Sequence, residues 1–244
     1  MTTSPSEIID RVVRDHLAPI IRARGYKGRG PTWRRSSSEV VHVVQVQRST
    51  YNGPFGARFY LNGAVYAGVL DDILGLPVQD APREPDCQLR WRADDVGGAA
   101  RSYDLEPGAD AAALAALAVA DLTLLLEALD RIRSVDDLVD VARTQSLAAY
   151  EAVYGWYLHT GRPAEAANLR AELRASVSDA RRWSILAGRL DAVDELAVGH
   201  SPDALRHLAE RAVAVAFLDI HMPGLDGFAL AAAMRGLAAP PAIV

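Results

Sequence analysis

Val40-Val41-His42-Val43-Val44-Gln45-Val46-Gln47-Arg48 and Phe55-Gly56-Ala57-Arg58-Phe59-Tyr60-Leu61-Asn62-Gly63-Ala64-Val65-Tyr66 decide the fold of the first half of this chain. Both runs are rich in β-branched and aromatic residues, which suit a pleated, half-buried surface. Asn52-Gly53-Pro54 between them is turn chemistry, so they read as neighbouring antiparallel strands. Alternation along the first run puts Val40, His42, Val44 and Val46 on one face and Val41, Val43, Gln45 and Gln47 on the other. Thr32 to Arg35 is a further short strand, set off by Ser36-Ser37-Ser38. Three strands joined by short turns make an antiparallel meander.

Helices flank the meander. Ser6 to Arg24 carries Ile8, Ile9, Val12, Val13, Leu17, Ile20 and Ile21 at helical spacing, with Gly25 as a stop and Pro19 as an expected kink. Asp71 to Gly108 breaks into Pro, Gly and charge, with Leu89 to Trp91 as a further strand. Ala111 to Arg133 places Leu114, Leu117, Leu122, Leu125, Leu126, Leu129 and Ile132 on a helix. Residues 1–134 therefore read as an α+β domain, with the helices backing an antiparallel sheet. Residues 135–172 read as a helical connector. Within it Tyr150, Tyr154, Gly155, Tyr157, Gly161, Glu165 and Ala166 resemble one tetratricopeptide-type helical pair. Such repeats need about three copies to bury a continuous core, so a plain connector is the reading adopted.

Composition bounds the function classes. Of 244 residues, 50% are apolar, 23% charged and 7% aromatic, the balance of a chain that buries a core. A net charge of −5 gives no global attraction to nucleic acid or anionic membranes. Cys87 is the only cysteine, which excludes an intramolecular disulfide and a cysteine-rich metal site. No secretory pattern opens the chain, and the apolar run Ala111 to Ala120 is bracketed by Asp110 and Asp121, so a cytoplasmic location without membrane partners is expected.

The order helix, Gly25-Tyr26-Lys27, Trp33-Arg34-Arg35, Val43-Val44-Gln45-Val46-Gln47-Arg48 and Phe59-Tyr60-Leu61-Asn62 resembles a bacterial family known only as a domain of unknown function, over residues 5 to 145. That resemblance implies a fold and supplies no catalytic residues. Two features of the half are candidates for function. Arg22, Arg24, Lys27, Arg29, Arg34 and Arg35 cluster around Tyr26 and Trp33, a pattern able to grip phosphates and stack bases. Lys27, Arg29, Arg34 and Arg35 are its candidate patch. The bland alternative is a solvated helix end and hairpin, because cations stabilise a helix C-terminus; the acidic whole favours it, and nucleic acid is not the expected partner. The polar strand residues His42, Gln45 and Gln47 are the second candidate, Gln45 and Gln47 as pocket-lining amides; the bland alternative is that the glutamines mark where a face meets solvent and that His42 is a satisfied structural residue. Neither a Ser/His/Asp set, paired carboxylates, a zinc helix nor a phosphate-cradling glycine loop stands in the sequence.

The last stretch reads differently. Val213-Ala214-Val215-Ala216-Phe217-Leu218-Asp219 is an apolar run closing on an acid, as buried parallel strands do. Ile220-His221-Met222-Pro223-Gly224-Leu225-Asp226-Gly227 follows as a loop, Phe228 to Arg235 as a helix, and Pro240 to Val244 opens another apolar strand. Asp-x-x-Met-Pro-Gly-x-Asp-Gly after such a strand resembles the phosphoacceptor segment of response-regulator receivers, of the type paired with LytTR output domains. Residues 173–244 would then be a truncated α/β receiver-like domain: a strand at Arg174 to Asp179, a helix at Arg181 to Leu190, a strand at Glu195 to Val198 and a helix at Ser201 to Arg211; Ala164 to Val193 reads equally as uninterrupted helix. The resemblance implies Asp219 as acceptor-equivalent, weak Mg²⁺ binding through Asp219 and Asp179, and a sensor histidine kinase as partner. It also implies impairment, because the Thr or Ser after a receiver's fourth strand and the Lys after its fifth do not occur before Val244. An unfinished parallel sheet leaves an apolar edge prone to self-association or protein docking. The expectation is a non-catalytic signalling-type protein. Its rivals are a binding module acting through the N-terminal domain and, behind both, an uncharacterised enzyme.

Overall fold

The computed structural model describes residues 4–28, 30–53, 55–106, 109–144 and 149–200, together with 215–216 and 242–243. The chain divides into two compact units, Met1–Ala67 with Gln79–Gln145, and Gly68–Val78 with Ser146–Val244. The expected boundaries at 134 and 172 do not coincide with these units. The first stretch of the expected connector groups with the N-terminal unit, and the rest of it with the C-terminal unit.

In the N-terminal unit, helix α1 (Pro5–Val12) starts with a reciprocal cap: Glu7 N–H donates to the Ser4 hydroxyl, and the Glu7 carboxylate accepts from Ser4 N–H. A π turn (Val13–Leu17) joins it to α2 (Ala18–Ala23). Pro19 accounts for the π turn. It has no N–H, and its ring would clash with the carbonyl four residues back, so the backbone widens until Ala18 N–H reaches the Val13 carbonyl. The expected kink is thus a local change of winding.

Strands β1 (Thr32–Ser36), β2 (Val41–Arg48) and β3 (Ala57–Tyr66) form the expected antiparallel meander, with Trp33 opposite Val44 and Gln45 opposite Asn62. β4 (Leu89–Arg92) pairs with the second half of β3 and β5 (Tyr103–Leu105) with its first three residues, giving a five-stranded sheet. Asn52 staples the β2–β3 hairpin by bonding both the N–H and the carbonyl of Arg58.

One sheet face carries Trp33, His42, Val44, Val46, Phe59, Leu61, Val65, Tyr103 and Leu105, all buried. Helix α4 (Ala111–Leu129) lies on it through Leu122, Leu125, Leu126 and Leu129, each wholly buried. Each such leucine contributes about 2 kcal/mol relative to exposure. Gly63 permits the approach, because a Cβ there would lie 2.8 Å from a Leu125 methyl. Asp110 caps α4 by accepting from Ala112 and Ala113 N–H, and the helix ends at Leu129, four residues before the expected Arg133. Among the described residues α4 alone is long and apolar enough to cross a membrane. Its Asp121 is nonetheless buried, accepting from Ala99 N–H, Ala100 N–H and the Tyr103 hydroxyl at 2.8, 3.0 and 2.7 Å. Helix α5 (Val135–Thr144) follows.

The C-terminal unit is helical over most of its described residues: α3 (Gly68–Ile73), α6 (Tyr150–His159), α7 (Pro163–Ser176) and α8 (Ala180–His200). Gly161, at φ +69°, turns α6 into α7. At Gly155 a Cβ would lie 2.9 Å from Ile73 and 3.3 Å from Val193, so this glycine lets α3 and α8 approach α6. Tyr154 and Arg170 both reach Asp194, and Arg170 also pairs with Asp191.

Two expected receiver strands are corrected here. Arg174 to Ser176 closes α7, and Glu195 to Val198 lies inside α8. Buried Leu173, Leu190 and Val193 anchor α7 and α8, and the two stretches, too short to carry a strand period, continue those helices. Of the later elements, Val215–Ala216 (β6) pairs in parallel with Ala242–Ile243 (β7). The helix expected at 201–211 and the segment from Phe217 to Arg235 lie outside the described residues.

Candidate functional site

The basic cluster resolves into a structural network. Arg24 and Arg35 both clamp Asp130, at 2.7 and 2.5 Å. Arg35 also donates to the Arg24 carbonyl, closing the C-terminus of α2, and lies 4.7 Å over the Tyr26 ring. Burial works against ionisation of Asp130, yet the two guanidiniums prevail and hold its pKa below the ordinary carboxylate value. His42 sits against Arg35 through Nδ1 at 2.8 Å and the Ile132 carbonyl through Nε2 at 2.7 Å. The neutral tautomer that fits has Nε2–H donating to Ile132 and Nδ1 accepting from Arg35. Desolvation lowers the His42 pKa accordingly.

Arg34 points to the other sheet face, where Nε donates to the Pro82 carbonyl at 2.6 Å. Lys27 is exposed, its backbone bridged to Arg34. Arg29 lies outside the described residues. Tyr26 and Trp33, the aromatics between these cations in sequence, are each 2% exposed and belong to the core. The residues gathered by sequence are therefore spread over two faces of the sheet.

Two cavities in the N-terminal unit hold the remaining candidates. The larger, about 700 Å³, is a groove where α1, the π turn and α2 pass the ends of β1 and β2. Its lining is mainly apolar: Val13, Ala18, Pro31, Trp33 and Val46. Arg14, Arg22 and Arg48 line it against a single acid, Asp10. Arg48 pairs with Asp10 and Arg14 with Asp15, while Arg22 is exposed and has no ion-pair partner among the described residues. Val13 and Arg14 reach this wall from the π turn. Gln45 and Gln47 also line the groove.

The smaller cavity, about 280 Å³, lies on the sheet face away from α4 and includes Gln47, Asn62, Glu84, Arg90, Arg92 and Arg101. Strand register forms its floor, since Thr32, Gln45, Asn62 and Arg92 stand in one cross-strand row. Asn62 Nδ2 donates to Gln47 Oε1 at 2.9 Å and Gln45 Oε1 at 3.3 Å. Glu84, 7% exposed, takes a two-pronged contact from Arg90. Apolar Val43, Ala64, Tyr66 and Cys87 fill the adjoining part of this face. Burial pushes the Cys87 thiol up to about 12, so it is no nucleophile at neutral pH.

Sequence reasoning found Gln45 and Gln47 but missed Asn62, Arg14 and Arg48. The hairpin register was the available signal for Asn62, because it sets that residue opposite Gln45. Nothing local in sequence joins α1 to the end of β2. Asp179 caps α8, its carboxylate accepting from Arg182 N–H at 2.7 Å, and is exposed. Asp219 lies outside the described residues. Among the described residues no group of three or more His, Cys, Asp or Glu side chains is arranged to hold a metal.

With this geometry in hand, comparison with known families is informative for the first unit. Residues 17–122 match the family model described as a domain of unknown function, DUF4304. The N-terminal part of the chain carries this domain. The match covers α2, the meander, both cavities' sheet walls and most of α4, begins at the last residue of the π turn, and is shorter than the resemblance over 5 to 145. No curated protein and no solved structure matches the chain. The comparisons lend nothing to the receiver resemblance of the C-terminal part.

Proposed function

We propose that the chain is a non-catalytic binding protein whose DUF4304 domain takes an anionic amphiphile in the 700 Å³ groove. The groove itself carries this reading: apolar walls for a hydrocarbon body and three arginines against one aspartate for a negative head. Guanidinium pairs with carboxylate in a two-pronged geometry, and Arg22 is the cation with no competing acid. No nucleophile, base and orienting group converge there. His42, the buried imidazole of the unit, is engaged by Arg35 and Ile132. The protein is taken to act in the cytoplasm, without nucleic acid.

Titrating the full chain with decanoate and with decyltrimethylammonium tests the proposal. Decanoate should saturate one site and raise the unfolding midpoint, the cation should not, and Arg22→Glu should abolish the effect. Equal binding of the two amphiphiles would overturn the electrostatic part of the reading.

A second reading concerns the tail, where the Asp219 motif and the parallel pairing of Val215–Ala216 with Ala242–Ile243 favour a receiver-derived segment. On this reading Asp219 is an acceptor-equivalent in a phosphorelay, facing a sensor histidine kinase. It is a poor acceptor, because the strand that would supply a second carboxylate is replaced by α7 and the cap of α8. Incubation with acetyl phosphate and Mg²⁺, followed by intact mass, should show little phosphorylation. Stoichiometric modification lost in Asp219→Asn would refute the impairment.

A further inference from the structure

The cavity beside Asn62 belongs to neither reading above. We propose that it is a second ligand site, on the sheet face away from α4, for a polyhydroxylated monocarboxylate. Asn62 is 3% exposed, and its Oδ1 has no hydrogen-bond partner. Buried polar groups are ordinarily paired because an orphan loses its hydration without recompense, so one that persists on a cavity wall points to a partner from outside the chain.

The direction of the orphan follows from the register. Nδ2 is turned to Gln45 and Gln47 on β2, so Oδ1 is turned the other way, to β4 and the cavity. Turning the carboxamide over alone would set its oxygen against the Gln45 and Gln47 oxygens, so the flip needs both glutamine amides to turn as well, and it then exchanges an unpaired oxygen for an unpaired N–H on the same side. A hydroxyl serves either arrangement, because it donates and accepts.

Charge sets the rest of the ligand. Arg90, Arg92 and Arg101 face Glu84 and Asp95 in the lining, and Asp94, just outside it, is the distant counter-ion of Arg101 that a ligand carboxylate would displace. Arg90 is committed to Glu84, and the Arg92 guanidinium carbon lies over the Tyr60 ring, 4.3 Å from its centroid. Arg101 is held loosely, 3.7 Å from Asp94 with its side chain 74% exposed, and is free to swing onto a carboxylate. Predominantly polar walls and a volume of about 280 Å³ suit several hydroxyls rather than a hydrocarbon. The occupant is thus a monoanion whose hydroxyls meet Asn62 and Gln47 and whose carboxylate meets Arg101.

Isothermal titration of the full chain with gluconate, glucose and acetate tests this. Gluconate should saturate one site, with glucose and acetate at least ten-fold weaker. Arg101→Ala, at an exposed position, should weaken gluconate at least five-fold with an unchanged melting curve. Asn62→Leu should abolish gluconate binding and leave decanoate binding intact, and Arg22→Glu should do the reverse. Acetate binding as tightly as gluconate, an absence of saturable heat, or an unchanged affinity in Arg101→Ala would each overturn the proposal.

Discussion

Replacing Asp121 with Asn changes one atom's chemistry in the middle of α4 and should cost about 2–4 kcal/mol. The carboxylate takes three donors and is 2% exposed: Ala99 N–H on Oδ1, Ala100 N–H and the Tyr103 hydroxyl on Oδ2. An asparagine oxygen in the Oδ2 position keeps two of these without charge assistance, which is a loss of roughly 1 kcal/mol. Its NH₂ group then faces Ala99 N–H, donor against donor, and an orphaned buried donor costs about 1–3 kcal/mol. Relief of carboxylate desolvation offsets part of the sum. The segment from Gly97 to Tyr103 that Asp121 anchors should loosen with it. Urea denaturation followed by far-UV circular dichroism gives the change, and Tyr103→Phe serves as a partner control, expected at about 1 kcal/mol because both amides keep their acceptor. In the double variant the two losses should sum to less than their independent total. A change under about 0.5 kcal/mol for Asp121→Asn would refute the view that this acid holds the segment to the helix.

Three further outcomes follow from single contacts. The folded-state pKa of His42 lies below its ordinary 6.5, so its contribution to stability is complete above about pH 6.5 and declines as pH falls toward the folded value; His42→Gln should flatten the stability profile between pH 7 and 5, and an unchanged slope would argue against the assignment. Gly63→Val should destabilise the N-terminal unit by about 1–3 kcal/mol through overpacking against Leu125 and Leu129, read as a lowered denaturation midpoint. Asp179→Ala removes the cap of α8 and should cost about 1 kcal/mol, seen as faster amide exchange in the first turn of that helix.

Periodicity made the sheet legible because each strand of the meander has one buried face, and an error of one residue would expose His42, Val44 and Val46. β4 was visible for the same reason in Leu89 and Trp91, while β5 was too short to carry a period. Asp121 looked in sequence like the polar end of an apolar run. Only the return of residues 97–103 over α4 turns it into a buried anchor, and that contact is not local. The basic cluster misled for a related reason: neighbours in sequence at a strand alternate between faces, so Arg34 and Arg35 part company. In the second unit, the short stretches at 174–176 and 195–198 are too brief to carry a period of their own, and packing against neighbouring helices decided for helix. Gln45 and Gln47 were readable as face-sharing amides; the partner Asn62 and the groove walls from α1 needed tertiary structure.

The central claim, that the groove between the π-turn helix and the β1–β2 end is a ligand seat, is tested most directly by side-chain NMR of the full chain during a decanoate titration. The account predicts saturable shifts at Val13, Ala18, Val46 and the Trp33 indole, lost in Arg22→Glu. Shifts confined to the exposed Tyr51 and Phe55, 94% and 86% accessible, or none at all, would contradict it.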